Sequence, residues 1–288
     1  MMSDTVSALP TTSALPAAEL ASPAAPLLKA TQLHARASAT FDAKLAETRA
    51  LLTQAAADFT EPDGTVLITQ ASSLGAEDVV VSHLIESLNL GIPVFVLETG
   101  ALHTETLQLL EQTVAASKAQ VHVYTPKSEA VAAFLARHGE KAMYQSIELR
   151  KACCQIRKME PLGRALAGQR AWITGLRREQ SGARAEVPLI DTSELQANPA
   201  SAESRTKFNP LANWTWGDVW HYIQLHNVAY NPLHDRFFPS IGCAPCTRAI
   251  SLGEDFRAGR WWWEATQEGG AAKECGLHVK HTPEGAIV

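Results

Sequence analysis

The sequence predicts a doubly wound α/β fold with a mainly parallel sheet. Short apolar runs, several of them β-branched, alternate with stretches of helical spacing between residues 41 and 174. With 288 residues, of which 46% are hydrophobic and 19% charged, the chain can bury a substantial core as one domain or a domain with appendages. No self-similar period runs along it, so a solenoid is not expected.

The elements follow in order. Phe41 to Phe59 reads as an amphipathic helix, Thr65 to Thr69 as a strand ending in small residues, and Glu77 to Leu88 as a second helix. Ile92 to Leu97 is a strand, Thr104 to Lys118 a helix, Val121 to Tyr124 a strand and Glu129 to His138 a helix. Met159 to Leu166 is read as a helix and Ala171 to Thr174 as a strand. Helices of this length between strands imply right-handed parallel crossovers. Beyond about residue 200 the spacing is irregular and rich in Trp, Pro, Gly and Cys, which suggests a segment folded over the sheet; Trp214, Trp216 and Trp220 fit a helix packed on the core. Residues 1–36, with two Ser-Ala-Leu-Pro copies and no aromatic residue, read as a flexible tail; 37–240 form the α/β domain and 241–288 a C-terminal segment.

Several classes are disfavoured. No run of 18 apolar residues marks a membrane span, and no charged n-region with an apolar h-region marks a secretory signal, so the cytoplasm is the default expectation. A net charge of −5, from 25 basic and 30 acidic residues, argues against a surface given over to nucleic acid.

The charge is unevenly distributed. From Arg150 to Arg184 nine basic residues face two acids, a net +7 that leaves −12 for the rest of the chain. Within it, Thr174-Gly175-Leu176-Arg177-Arg178 sets paired guanidiniums just after a strand, where forked donors suit a phosphate or sulfate. Ser72 to Asp78 and Leu97 to Gly100 sit where strands give way to helices, the rim at which ligands of open α/β sheets collect. These patterns predict a small polyanionic ligand. A helix cap and a plain β-to-α turn are the structural alternatives for the two loops.

Five cysteines lie in the second half. Cys153-Cys154 and Cys243-Ala244-Pro245-Cys246 form two close pairs, which could hold zinc or an iron–sulfur cluster. Adjacent thiolates converge poorly on one zinc ion but can bind different irons, so a [4Fe-4S] cluster is favoured over zinc, a vicinal disulfide or free thiols. The fifth, Cys275, stands between Lys273 and His278, cations that favour the nucleophilic thiolate.

Together these residues resemble the assimilatory adenylyl-sulfate reductases, the cluster-containing branch of the family that also holds phosphoadenylyl-sulfate reductases. The resemblance spans about residues 65 to 281. It rests on Ser73-x-Gly75-Ala76-Glu77-Asp78, Leu97-x-Thr99-Gly100, Arg150-Lys151-x-Cys153-Cys154-x-Ile156-Arg157-Lys158, Thr174-Gly175-x-Arg177-Arg178, Gly242-Cys243-x-Pro245-Cys246-Thr247 and Glu274-Cys275-Gly276-Leu277-His278, in the family order. It implies a fold of the adenine nucleotide alpha hydrolase type and a [4Fe-4S] cluster on Cys153, Cys154, Cys243 and Cys246. It further implies that Cys275 attacks adenosine 5′-phosphosulfate, leaving an S-sulfocysteine that thioredoxin, or a glutaredoxin-like thiol donor, resolves to sulfite. Lys158, Arg257, Arg260 and His278 would neutralise the phosphosulfate, with Ser73, Gly75, Thr99, Gly100, Arg177 and Arg178 in the nucleotide loops. Glu98 and Ala101 depart from the family's usual second loop, an Asp followed by Thr-Gly and a basic or bulky residue. The rival readings are a reductase of the 3′-phosphorylated nucleotide and a non-catalytic, zinc-stabilised nucleotide-binding protein. Whether the chain forms a homo-oligomer is left open by the sequence.

Overall fold

A computed structural model describes residues 28–193 and 204–266 of the protein. Six strands form one sheet in the order β3-β2-β1-β4-β6-β5: β1 (Ile68–Ser72), β2 (Val94–Leu97), β3 (Val121–Tyr124), β4 (Ala171–Ile173), β5 (Ile190–Asp191) and β6 (Thr206–Phe208). Every neighbouring pair is parallel except β5 with β6. The chain steps outward from β1 to β2 and β3, then returns to place β4 on the other side of β1. The loops after β1 and β4 therefore diverge and open a crevice at the carboxyl ends of the strands.

Helices cover both faces, as the expected fold requires. On one face α2 (Phe41–Asp58), α3 (Ala76–Ser87) and α8 (Trp216–His226) bury Leu52, Val80, Leu84, Trp214, Trp220 and Tyr222 with Ile68 and Ile173 of the sheet. On the other, α7 (Glu160–Leu166) packs Leu162, Ala165 and Leu166 on Phe95 and Trp172. At roughly 25 cal/mol per Å², each buried aromatic ring contributes about 4–6 kcal/mol before entropy is counted. Trp214 keeps its polar atom satisfied, its Nε1 donating to Thr48 Oγ1 at 2.9 Å. The remaining helices are α1 (Ala30–His34), α4 (Thr104–Ala116), α5 (Ser128–His138) and α6 (Ile147–Cys154).

Three expectations change. Residues 28–36 are not part of a tail: α1 packs on α8, Ala30 is fully buried and its N–H donates to Asp235 at 2.7 Å, while the Arg36 N–H donates to the Gly217 carbonyl. Residues 1–27 lie outside the described residues. The first strand runs three residues later than its apolar signal, because Thr69, Gln70 and Ser72 are buried polar groups with internal partners. The helix through the cysteines starts at Ile147, its N-cap hydroxyl on Ser146 accepting from the Leu149 N–H. It passes through a π-helical turn, Gln155–Met159, before α7.

Among the described residues no helix is long and apolar enough to cross a membrane.

Candidate active site

A cavity of about 190 Å³ opens at the carboxyl ends of β1, β2 and β4. Phe95, Leu97, Leu162 and Trp172 form an apolar wall, and Lys158, Arg257 and Arg260 bring cations to its lining.

The β1–α3 turn forms one side. Leu74 takes a left-handed conformation (φ 60°), and its N–H donates to Ser72 Oγ at 3.2 Å. Both the N–H and the hydroxyl of Ser73 donate to Asp78 Oδ2 at 2.6 Å, so these donors already serve an internal carboxylate. Burial pushes the Asp78 carboxyl up to about 6, with the Glu77 charge adding to it and the Ser73 and Gly175 donors opposing. Gly175 must be glycine: a Cβ there would lie 2.4 Å from Asp78 Oδ1 and 2.8 Å from Glu77 Cβ. This close approach seals the turn after β4 against the start of α3.

The loop after β2 forms the next part of the wall. Gly100 is left-handed (φ 68°), and its N–H donates to Glu98 Oε1 at 2.7 Å. Arg157, carried on the π-helical turn, donates to the Thr99 carbonyl at 2.7 Å. The Thr99 hydroxyl shares a 3.3 Å hydrogen bond with Cys243 Sγ, linking this loop to the C-terminal segment.

That segment supplies two of the cations, Arg257 and Arg260. Gly242 leaves room for Arg260, since a Cβ there would sit 2.3 Å from Arg260 Nη2. Arg260 Nη1 donates to Ser240 Oγ at 3.4 Å and to the Ile241 carbonyl at 3.3 Å, and its guanidinium lies 4.6 Å from the centre of the Trp261 ring. Arg257 also reaches Ser240 Oγ, at 3.5 Å. An antiparallel bridge between Thr247 and Arg260 ties this stretch to the end of the cysteine pair.

A second cavity, of about 400 Å³, is lined by all four of Cys153, Cys154, Cys243 and Cys246, with Phe134, Met143, Tyr144 and Ala101 among its walls. Lys158 borders both cavities. Burial raises the Cys246 thiol to about 12, helped by Cys243 and Cys154; burial likewise raises Cys153, with Arg157 pulling the other way. Among the described residues, no three His, Cys, Asp or Glu side chains are grouped as ligands of a metal ion. The four thiols share this cavity with the side chains of Arg150, Arg157 and Lys158, so cations stand beside them in its walls. Ala101, the departure in the second loop, packs against the Met143, Cys243, Cys246 and Trp261 cluster, and its carbonyl accepts from the Ala244 N–H at 2.7 Å.

Of the residues singled out in the sequence, Ser73, Gly75, Thr99, Lys158, Arg257 and Arg260 line the first cavity, with Gly100 adjacent in the same loop. Arg177 and Arg178, expected on its rim, are held elsewhere. Arg177 is fully buried, its Nε and Nη2 each 2.9 Å from Glu77 Oε1. Arg178 donates to the Val187 carbonyl and to Asn213. Arg184 and His234 line the cavity without having been singled out, whereas Gln180, also in its lining, belongs to the loop that follows Arg177. Arg184 lay within the basic segment, which was its available signal; buried His234 carried none. Cys275 and His278 lie outside the described residues.

The chain matches the family described as phosphoadenosine phosphosulfate reductase domain over residues 67–249. It is 50% identical over 211 residues to the adenosine 5′-phosphosulfate reductase of Allochromatium vinosum, covering 73% of this chain and 78% of that one. It is also 50% identical over 209 residues to the protein of the same name from Burkholderia cepacia, covering 73% and 79%. Among solved structures, the phosphoadenylyl-sulfate reductase of Candida auris in its phosphate complex superposes with a TM-score of 0.56 at 26% identity, covering 75% of this chain and all of that one. An FMN adenylyltransferase of Candida glabrata, at 13% identity and a TM-score of 0.51, shares the fold. With a crevice at the strand ends, cations converging on it and a match over most of its folded length, the chain belongs to the phosphoadenosine phosphosulfate reductase family.

Proposed function

We propose that the protein reduces adenosine 5′-phosphosulfate to sulfite and AMP. The observation that carries this reading is the first cavity, which Lys158 lines from the π-helical turn and Arg257 and Arg260 from the C-terminal segment, while Phe95, Leu97, Leu162 and Trp172 offer an apolar wall to an adenine ring. The names of the relatives at 50% identity support the same substrate.

The Cys275 thiolate attacks the sulfonyl sulfur, forming the Sγ–S bond as the bridging S–O bond breaks and AMP departs with the electron pair. Charge builds on the departing phosphate, and the three cations stabilise it; His278 is assigned the same role by family resemblance. A thiolate of thioredoxin or a glutaredoxin-like donor then attacks Cys275 Sγ, and sulfite leaves with the bonding pair. A second thiol of the donor restores Cys275 and closes a disulfide, so the donor supplies both electrons.

Cys153, Cys154, Cys243 and Cys246 are the residues that would hold a [4Fe-4S] cluster. Bound there, the cluster would supply an electrostatic contribution, because the thiol donor already delivers the electrons. The Thr99 hydroxyl and Arg157 orient the loop between the two cavities.

A nucleotide without a 3′-phosphate is favoured over the 3′-phosphorylated one. The relatives at 50% identity carry the name of the nucleotide without that phosphate, which supports the choice. Mass spectrometry after mixing the protein with adenosine 5′-phosphosulfate, without reductant, is expected to show one SO₃ added to Cys275. No adduct, or faster sulfite release from the 3′-phosphorylated nucleotide, overturns the reading.

A further inference from the structure

Arg150 and Glu264 form a bidentate ion pair, Nε to Oε1 at 2.7 Å and Nη2 to Oε2 at 3.2 Å, with both side chains at 5% exposure or less. A buried pair of this kind rarely gains stability over an apolar one of the same shape, so its stability contribution does not explain it. Its surroundings do.

The Arg150 guanidinium lies 4.7 Å from the centre of the Trp261 ring, and that of Arg260 lies 4.6 Å from the same centre. The two cations are thus within about 9 Å of each other, both over one indole. Trp261 is 1% exposed and left-handed, with φ at 44°, a strained conformation for a bulky residue that persists only where its neighbours over-determine it. Its N–H donates to the Cys246 carbonyl at 3.3 Å, and its carbonyl accepts from the Glu264 N–H at 3.0 Å. Glu264 therefore grips the joint twice, through its backbone and through Arg150.

We propose that Arg150 and Glu264 are positioning residues for Arg260: their ion pair fixes Trp261, and Trp261 sets the Arg260 guanidinium where the nucleotide's 5′-phosphate binds. This rests on the reading of the first cavity given above. Two physical effects act together. The Trp261 ring is the flat support beneath Arg260, and Glu264 neutralises a second cation, Arg150, that would otherwise repel Arg260 at close range.

The test measures binding of AMP and of adenosine, the second lacking the phosphate, by calorimetry on the cluster-loaded protein, with iron and sulfide content checked in parallel. Glu264→Gln is expected to weaken AMP about tenfold while adenosine stays within about twofold. Arg150→Lys keeps the charge but loses the fork and the flat face, and is expected to act in the same direction. In an Arg260→Met background Glu264→Gln is expected to have no further effect on AMP, because the residue through which it acts is gone. Unchanged AMP affinity, equal weakening of AMP and adenosine, or a Glu264→Gln effect undiminished beside Arg260→Met each overturns the proposal. If neither single variant folds, the pair is a folding requirement and the proposal falls. If the unaltered protein does not bind AMP, the nucleotide reading of the cavity fails instead.

Discussion

Arg177 and Arg260 are buried arginines that both rest on tryptophan rings, at 5.3 Å from Trp216 and 4.6 Å from Trp261. Arg177 closes on the Glu77 carboxylate and reaches Glu179 as well, so its charge is spent inside the fold. Arg260 has a hydroxyl and a carbonyl as hydrogen-bond partners among the described residues, and its Nε has none there. Neutral partners orient a guanidinium without cancelling its field. Proximity of an arginine to the strand ends does not make it a ligand; what its nearest acceptors carry does.

The largest effect is expected at Arg177. Arg177→Met leaves Glu77 buried without its cation and is expected to cost about 3–5 kcal/mol in chemical denaturation, most of it recovered in Arg177→Met with Glu77→Gln. A loss confined to activity would show Arg177 acting on the ligand. Arg260→Met is expected to do the reverse. Its kcat/KM for sulfite release falls about 10²–10³-fold, as for removal of one charge-stabilising donor, while the melting temperature stays close to that of the unaltered protein.

Asp218 sharpens the point with a smaller effect. Its side chain is fully buried at the start of α8, and burial works to raise its pKa. Lys44, Ser38 and Thr215 overcome this and hold it at about 2. Because the folded value lies below the unfolded 3.8, the stabilisation is complete above about pH 4 and is lost as pH falls through 2. Asp218→Asn is expected to remove about 2 kcal/mol at pH 7 and to flatten the acid limb of stability against pH. An unchanged acid limb would show that Asp218 is not what makes it.

Much of the fold is legible in the sequence because a parallel sheet needs continuous apolar strands, and β2, β3 and β4 fall close to their predicted places. β1 is displaced because its buried Gln70 is satisfied by the Asp78 carbonyl and Ser82, and a polar residue with internal partners looks like a strand end. The helix before Cys153 escaped because thiols and basic residues that serve the cavities interrupt its apolar spacing. The cation set Lys158, Arg257 and Arg260 was legible through motif resemblance, and the cavity does collect them. The fate of Arg177 was not, since it depends on Glu77, a hundred residues earlier, and no local pattern encodes that contact.

The π-helical turn at Gln155–Met159 has a consequence for how this stretch can vary. A π turn holds one residue more than the α turn it replaces and is less favourable as backbone, so removing a residue would let the helix relax. The same deletion would shorten the separation of Cys154 and Lys158 from four positions to three, changing which side chains face the partition that the two cavities share. Chain length here is constrained more tightly than residue identity: a substitution at Gln155 changes one side chain, whereas a gap of one residue puts backbone comfort and the partition between the cavities in direct opposition.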